Sequence, residues 1–177
     1  TVMNKLFAIF TTILVLMTST VFAQNELIPY KAGHVFDIGL PEYMSKSVGL
    51  NSVSAIEYKN TVKDIYGIVI FDTKEDLKIV EMNFSSIDEF YENFIVDFLK
   101  DESKRKISKP ISQKIGEINF IESDASYYDK EVKMEIYYLV GIVETKTTFY
   151  KVLTWTNAKN KEKFKADFQR ILYSIKD

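Results

Sequence analysis

The chain has 177 residues, 46% of them hydrophobic and 14% aromatic, which suffices for one well-buried core and is short for two. Its 23 basic and 25 acidic residues leave a formal net charge of -2, so no overall field attracts nucleic acid or an acidic polymer. It contains no cysteine, which excludes disulfides, thiolate metal sites and the attachment of a lipid to cysteine.

The first predicted element is a secretory signal peptide, residues 1–23. Lys5 provides a positive start, Leu6 to Met17 form an apolar stretch, and Val21, Phe22 and Ala23 have the pattern of a cleavage site. The alternative is an uncleaved anchor helix, because the uncharged stretch is just long enough to cross a bilayer. Its threonines and its small-residue end favour cleavage. We therefore expect an exported protein, periplasmic or extracellular, with no stable membrane insertion after cleavage.

The mature chain, residues 24–177, is predicted to form a single domain, because it contains no linker or internal repeat. Residues 25–31 are predicted to be a short lead-in. Apolar alternation then predicts three strands, at residues 34–38, in "VSAIEYKN" and in "DIYGIVIFD". A helical turn is predicted in "TKEDLKIVE". The apolar spacing of "SSIDEFYENFIVDFLKDE" predicts an amphipathic helix, with Ser86 and Glu89 as a capping box at its start.

The second half of the chain is predicted to contain four strands and a closing helix. The basic run of residues 104–109 is predicted to connect the first helix to these strands. The strands are expected in "ISQKI", "EINFIESDAS", "VKMEIYYLVGIVE" and "TTFYKVLTWT", and their short connections require antiparallel pairing. In "NAKNKEKFKADFQRILYSIKD" the apolar residues fall on one helical face.

The last strand decides the predicted architecture, because it is apolar on both sides. Phe149, Leu153 and Trp155 point to one face, whereas Tyr150 and Val152 point to the other. Both faces then need cover, which the two amphipathic helices can provide. We predict an α+β fold, a three-layer α/β/α sandwich with a central, mainly antiparallel sheet of about six to seven strands. Trp155 is predicted to lie mainly in the core, with a ligand platform as the alternative.

Three stretches carry a resemblance to a known family. The opening "FDIGLPEYM", the strand "TFYKVLTWT" and the closing "RILYSIK" resemble the PsbP-like fold of PsbP, of the Mog proteins and of many small exported bacterial proteins without an assigned function. This Mog/PsbP-type resemblance covers the whole mature chain in element order. It implies a non-enzymatic accessory or binding protein. The chain has no twin-arginine signal, so a photosynthetic role is not inferred.

Few residues are candidates for chemistry. His34 is the only histidine, and no nucleophile motif accompanies it, so no catalytic residue is assigned. Asp72, Glu75 and Asp76 are the candidate metal ligands, for calcium, and the alternative is ordinary charge at a helix start.

A second acidic cluster surrounds "ESDASYYDKE" and consists of Glu122, Asp124, Asp129 and Glu131. It could also hold calcium, and the alternative is a polar hairpin turn. The candidate ligand-binding residues are Trp155, Tyr127 and Tyr128.

Three functional hypotheses follow. The first is an exported, soluble, non-enzymatic binding or accessory module with an unknown protein or small-molecule partner, no cofactor and no nucleic acid. The second is a hydrolase that uses carboxylates among Asp72, Asp76, Glu122 and Asp124, which would have to converge in one concave pocket. The third is a carrier of a small apolar ligand, which requires a cavity between helix and sheet.

Overall fold

The structure is a computed structural model that describes residues 26–32 and 35–177. The predicted signal peptide, residues 1–23, and His34 lie outside the described residues and stay predictions. Within the described part of the chain, no helix has the length and hydropathy that a membrane span requires.

The described residues form ten strands, three α-helices and one short 3₁₀ helix, residues 158–160. In chain order the strands and α-helices are β1 (Leu27–Ala32), β2 (Phe36–Pro41), β3 (Ser45–Ser47), β4 (Ile56–Asn60), β5 (Ile65–Thr73), α1 (Lys74–Ile79), α2 (Ile87–Asp97), β6 (Ser103–Ile107), β7 (Ile111–Ile115), β8 (Ile118–Asp129), β9 (Met134–Glu144), β10 (Thr148–Asn157) and α3 (Lys161–Tyr173). The amphipathic helices predicted from apolar spacing are α2 and α3.

Eight strands form one sheet in the order β3-β4-β5-β10-β9-β8-β6, and β7 also pairs with β8. Every described pairing is antiparallel. Strands β1 and β2 form a separate antiparallel hairpin. The molecule is therefore a mixed α/β protein whose main sheet is antiparallel, as predicted.

The strand count was predicted too low. Residues 103–107 were expected to be a connection but form β6, because Ser103, Arg105 and Ile107 are half-buried while the lysines between them are exposed. Their alternation has the period of a strand, which the three charges obscure. The expected lead-in contains β1, whose partner β2 lies outside the main sheet. Strand β6 forms through pairing with β8, which is not its neighbour in the chain, whereas β1 forms a hairpin with the next strand; in both segments pairing outweighs local composition.

Helix α2 is held at both ends by side-chain hydrogen bonds. The Ser86 hydroxyl accepts from the Glu89 amide at 3.2 Å, as the capping box predicts. The Glu89 carboxylate accepts from Ser85 instead of Ser86. At the other end, the Arg105 guanidinium donates to the carbonyls of Phe98 and Ile95 at 2.8 and 2.5 Å. Strand β6 thereby provides the donors that the end of the helix lacks.

Replacing Arg105 with alanine is expected to lower the free energy of unfolding by about 1–3 kcal/mol, because two carbonyls lose charged donors. Urea denaturation of the protein measures the loss. Arg105→Lys is the matched control, since it keeps the charge but not the planar guanidinium. Its free energy of unfolding should lie between those of the wild type and the alanine variant. An alanine variant as stable as the wild type would contradict this account.

Consecutive residues of the central strands point to opposite faces of the sheet, and they pack in two separate core clusters. Val143 of β9 and Tyr150 of β10 pack in a cluster that contains the buried side of α3. Their neighbours Ile142 and Phe149 pack in a second cluster with α1 and α2. This burial on both sides explains why β9 and β10 are apolar at consecutive positions.

Candidate functional site

A row of polar side chains joins α3 to β8, and we call it the polar seam. Its members are Glu122 and Asp124 of β8 and Lys161, Lys165, Gln169 and Tyr173 of α3. The helix residues are spaced by four, so they lie on one face of α3, and the two acidic residues share one face of β8. Two amphipathic elements thus meet along their polar borders.

The Asp124 end of the polar seam is a network of charged groups. The Asp124 carboxylate lies 2.9 Å from the Lys161 ammonium and 2.8 Å from that of Lys165. It also accepts a hydrogen bond from the Tyr137 hydroxyl at 2.8 Å. Burial raises the pKa of Asp124, but the hydrogen bonds from Lys165, Lys161 and Tyr137 outweigh it and hold this pKa below its ordinary value. Asp124 is therefore a carboxylate at neutral pH.

Asp124→Asn is expected to lower the free energy of unfolding by about 1–2 kcal/mol at neutral pH, because a neutral amide loses the charge attraction to the two ammonium groups. Since the folded pKa of Asp124 is lowered, its stabilisation is complete above the ordinary pKa of aspartate and is lost as the pH falls through the folded pKa. Urea denaturation across this acidic range should show the two proteins converging.

The matched control for this prediction is Asp97→Asn. Asp97 also pairs with a lysine, Lys100, but its side chain is 68% exposed. An exposed ion pair contributes little, so this variant should differ slightly from the wild type. If the stability difference between Asp124→Asn and the wild type does not shrink in acid, the ionised Asp124 carboxylate is not the source of the stabilisation.

The Glu122 end of the polar seam differs in its partners. The Glu122 side chain is 3% exposed and accepts hydrogen bonds from two neutral donors, the Gln169 amide and the Tyr173 hydroxyl, each at 2.7 Å. Burial and the hydrogen bond to Glu122 raise the pKa of Tyr173, so its hydroxyl stays protonated and donates. A buried carboxylate is thus held in place by groups that carry no positive charge.

Glu122 lies in the wall of a surface groove of about 710 Å³, which we call the α3 groove. Its other walls come from α3, from β7 and from the start of β1, and they include Leu27, Ile111, Gln113, Gln169, Arg170 and Tyr173. A second groove of about 340 Å³ adjoins Asp124 and Lys161. The two acidic residues of the polar seam therefore face different grooves.

Trp155 lies on the α2 side of the sheet, within a row of rings. Its ring stacks on Tyr66 and on Tyr138, with centroid distances of 5.7 and 5.3 Å and interplanar angles of 23° and 24°. Both faces of the indole are therefore occupied by neighbouring side chains. A flat ligand would have to displace a tyrosine to stack on Trp155. The ligand role of Trp155 stays a prediction.

The other two aromatic candidates lie on opposite faces of β8. Tyr127 continues the row of rings, 6.4 Å from Tyr138. Tyr128 points to the opposite face, where the Lys104 ammonium lies 5.0 Å from its ring centroid. The structure brings Tyr127 and Trp155 to one surface and separates Tyr128 from both.

The candidate metal ligands are engaged separately. Asp72 forms an ion pair with Lys151 at 2.7 Å. Asp76 caps the start of α1 with Thr73, and Glu75 is exposed beside it. In the described ranges, no three acidic or histidine side chains are grouped so that they could hold a metal ion. The calcium assignment stays a prediction.

Sequence reasoning placed Glu122 and Asp124 in the strand predicted in "EINFIESDAS", which β8 confirms, but the alternative interpretation of their acidic cluster as a polar hairpin turn was wrong for both residues. Both lie within β8, and only the last members of the cluster form the turn, where the Asp129 carboxylate accepts from the amides of Glu131 and Val132. The signal that could have revealed the polar seam is the spacing of four in α3, on the border of its apolar face. The partners in β8 could not be chosen from that spacing.

The fold and the sites together define a mixed α/β protein with surface grooves beside one helix. No family model matches the chain, and no curated protein matches it in sequence. Among solved structures it is similar to cyanobacterial PsbP (CyanoP) from Synechocystis sp. PCC 6803, with a TM-score of 0.60 and 11% identity over 90% of this chain and 96% of that chain. It is also similar to LpqN, described as involved in cell envelope biogenesis of Mycobacterium tuberculosis, with a TM-score of 0.55 and 10% identity over 85% and 90%. The chain therefore has the PsbP-like fold.

Proposed function

We propose that the chain is an exported, non-enzymatic binding or accessory module, and that the α3 groove is its ligand site. The single mature domain, residues 24–177, and its three-layer arrangement belong to this proposal. They are supported by the signal-like pattern of residues 1–23 and by the two core clusters on alternating residues of the sheet. The likeness to PsbP and LpqN is compatible with an accessory role.

The observation that carries the proposal is the buried Glu122 carboxylate in the wall of the α3 groove. Burying a carboxylate costs free energy unless positive charge or several donors compensate it. Glu122 accepts from two neutral donors and faces a groove of about 710 Å³. A ligand with an ammonium group or several hydroxyl groups would add the missing donors. Such a ligand is the class that this groove fits best.

A carboxylate-based hydrolase is less well supported. It would need two carboxyl groups in one pocket, one of them able to donate a proton at neutral pH. Glu122 and Asp124 face different grooves, and the lowered pKa of Asp124 leaves it without a proton to donate. Asp72 and Asp76 are engaged elsewhere, with Lys151 and with Thr73.

An apolar carrier is also less well supported, because aromatic rings fill the space between helix and sheet. Phe90 of α2 and Phe149 of β10 stack with centroids 4.3 Å apart and planes 5° apart. An apolar ligand at this place would have to replace one of these rings.

Native mass spectrometry of the protein, purified gently from the exported fraction of its host, tests the proposal. We expect a mass above that of the polypeptide, and we expect Glu122→Gln to lose it, because a neutral amide cannot balance a cationic or donor-rich ligand. Asp76→Asn is the matched control, since it also removes one carboxylate but far from the groove. A bare polypeptide mass, or equal retention by Glu122→Gln, would overturn the proposal.

A further inference from the structure

Strand β7 and the turns at its ends form the longest run of exposed residues within the described ranges, residues 108–117. Ile111 and Ile115 at the two ends of β7 are 59% and 50% exposed. One edge of β7 pairs with β8, and no described strand pairs with its other edge. An exposed edge with two large apolar residues is a template for pairing with another strand.

The hairpin geometry decides which backbone groups point outward. Strands β7 and β8 are joined by a two-residue turn, Gly116 and Glu117, with Gly116 at φ +60°. In such a hairpin the residues next to the turn exchange hydrogen bonds, and the pattern alternates along the strand. Ile115, Gln113 and Ile111 therefore bond to β8, whereas Ser112 and Lys114 direct their amides and carbonyls away from the sheet.

We propose that this edge binds a second copy of the chain, with β7 pairing antiparallel to the partner's β7 about a two-fold axis at Gln113. In this register Ser112 faces the partner's Lys114, so the outward backbone groups of both strands exchange hydrogen bonds. The two sheets then join edge to edge through the five residues of each β7.

The side chains are self-complementary in the same register. Ile111 faces the partner's Ile115, and Lys109 faces the partner's Glu117, and each of these pairs occurs twice because of the symmetry. Apolar and opposite-charge pairs across antiparallel strands are both stabilising. In this one register, both exposed isoleucines and the charged side chains of Lys109 and Glu117 therefore face complementary residues of the partner.

The neighbouring registers lack this complementarity. A shift of one residue would place the outward backbone groups of one copy opposite residues of the partner whose own backbone groups already bond to β8. The hydrogen bonds between the two copies would then be lost. A shift of two residues in one direction brings Lys114 opposite the partner's Lys114, which repels. The opposite shift pairs Lys109 with the partner's Ile115 and leaves the ion pairs unformed. Only the register centred on Gln113 satisfies backbone, apolar residues and charges together.

Sedimentation velocity of the exported protein over a range of concentrations tests the proposal. We expect a monomer–dimer equilibrium, because the contact is small. Lys109→Glu and Glu117→Lys should each weaken the dimer about tenfold, because each creates two like-charge pairs. The double variant Lys109→Glu/Glu117→Lys should restore the dimer. A monomer at every concentration, or charge variants that dimerise like the wild type, would overturn the proposal.

A cross-linking experiment tests the register itself, because the chain has no natural cysteine. In the proposed dimer the two copies of residue 113 form a non-hydrogen-bonded pair with Cα atoms about 4.5 Å apart, within the range of a disulfide. Gln113→Cys should therefore form a disulfide-linked dimer under mild oxidation. Ile115→Cys is the control, since its two copies lie about 14 Å apart. Equal cross-linking of the two variants would overturn the register.

Discussion

Alanine at Gly67 is expected to lower the free energy of unfolding by about 3–5 kcal/mol. A Cβ atom at this position would lie 2.1 Å from the ring of Tyr58, which faces Gly67 across β4 and β5. Tyr58 is fully buried, and its hydroxyl lies 2.6 Å from the Thr154 hydroxyl. The ring can make room only by breaking this buried hydrogen bond. Urea denaturation of the protein measures the effect.

The control for this prediction removes the ring. In a Tyr58→Leu background the space beside Gly67 is no longer filled by an aromatic side chain, so Gly67→Ala should cost less than about 1 kcal/mol there. If Gly67→Ala is equally costly in both backgrounds, the contact with Tyr58 is not the cause, and the close approach of β4 to β5 has a different origin.

Phe149→Ala is expected to have an effect of similar size, about 3–5 kcal/mol. Phe149 is 1% exposed and stacks on Phe90 of α2, and the Lys74 ammonium of α1 lies 4.9 Å from its ring centroid. One side chain of β10 therefore holds both helices on this side of the sheet. Removal of its ring leaves a cavity, and the sheet is too rigid to move in and fill it.

Hydrogen exchange separates this local effect from general loss of stability. We expect the amides of α2 to lose more protection in Phe149→Ala than those of α3, because α3 packs in the other core cluster. Phe149→Leu is the matched control, since it keeps most of the buried volume and should cost less than about 2 kcal/mol. Uniform loss of protection in both helices would show that Phe149 does not act mainly through α2.

Much of the secondary structure could be predicted because its signals are local. The apolar spacing of three and four residues identified α2 and α3, and Ser86 marked the start of α2 within one residue. Double-sided apolar character identified β10 as a central strand, and it lies in the middle of the sheet. The PsbP-like resemblance was confirmed by the likeness to solved structures.

The candidate site was only partly accessible to such reasoning. Glu122 and Asp124 were noted as acidic and fell within a predicted strand, but their partners, Gln169 and Lys165, lie in a helix far along the chain and could not be chosen from the sequence. Tyr127 and Tyr128 were both named as ligand-binding candidates, although adjacent residues of a strand point to opposite faces. Trp155 was predicted to lie mainly in the core, with a ligand platform as the alternative, and nothing in the sequence indicated that Tyr66 and Tyr138 stack on its ring.

The sequence by itself determined the helices, the central strands and the need to bury both faces of the sheet, because these follow from the spacing of apolar residues within short segments. Only the tertiary structure decided that β6 joins the sheet, that β7 pairs with β8 alone among the described strands and that Lys165 and Gln169 meet different carboxylates. Those features are contacts between residues far apart in the chain. Local patterns determine which face of an element is polar, whereas the packing of the whole domain determines what that polar face meets.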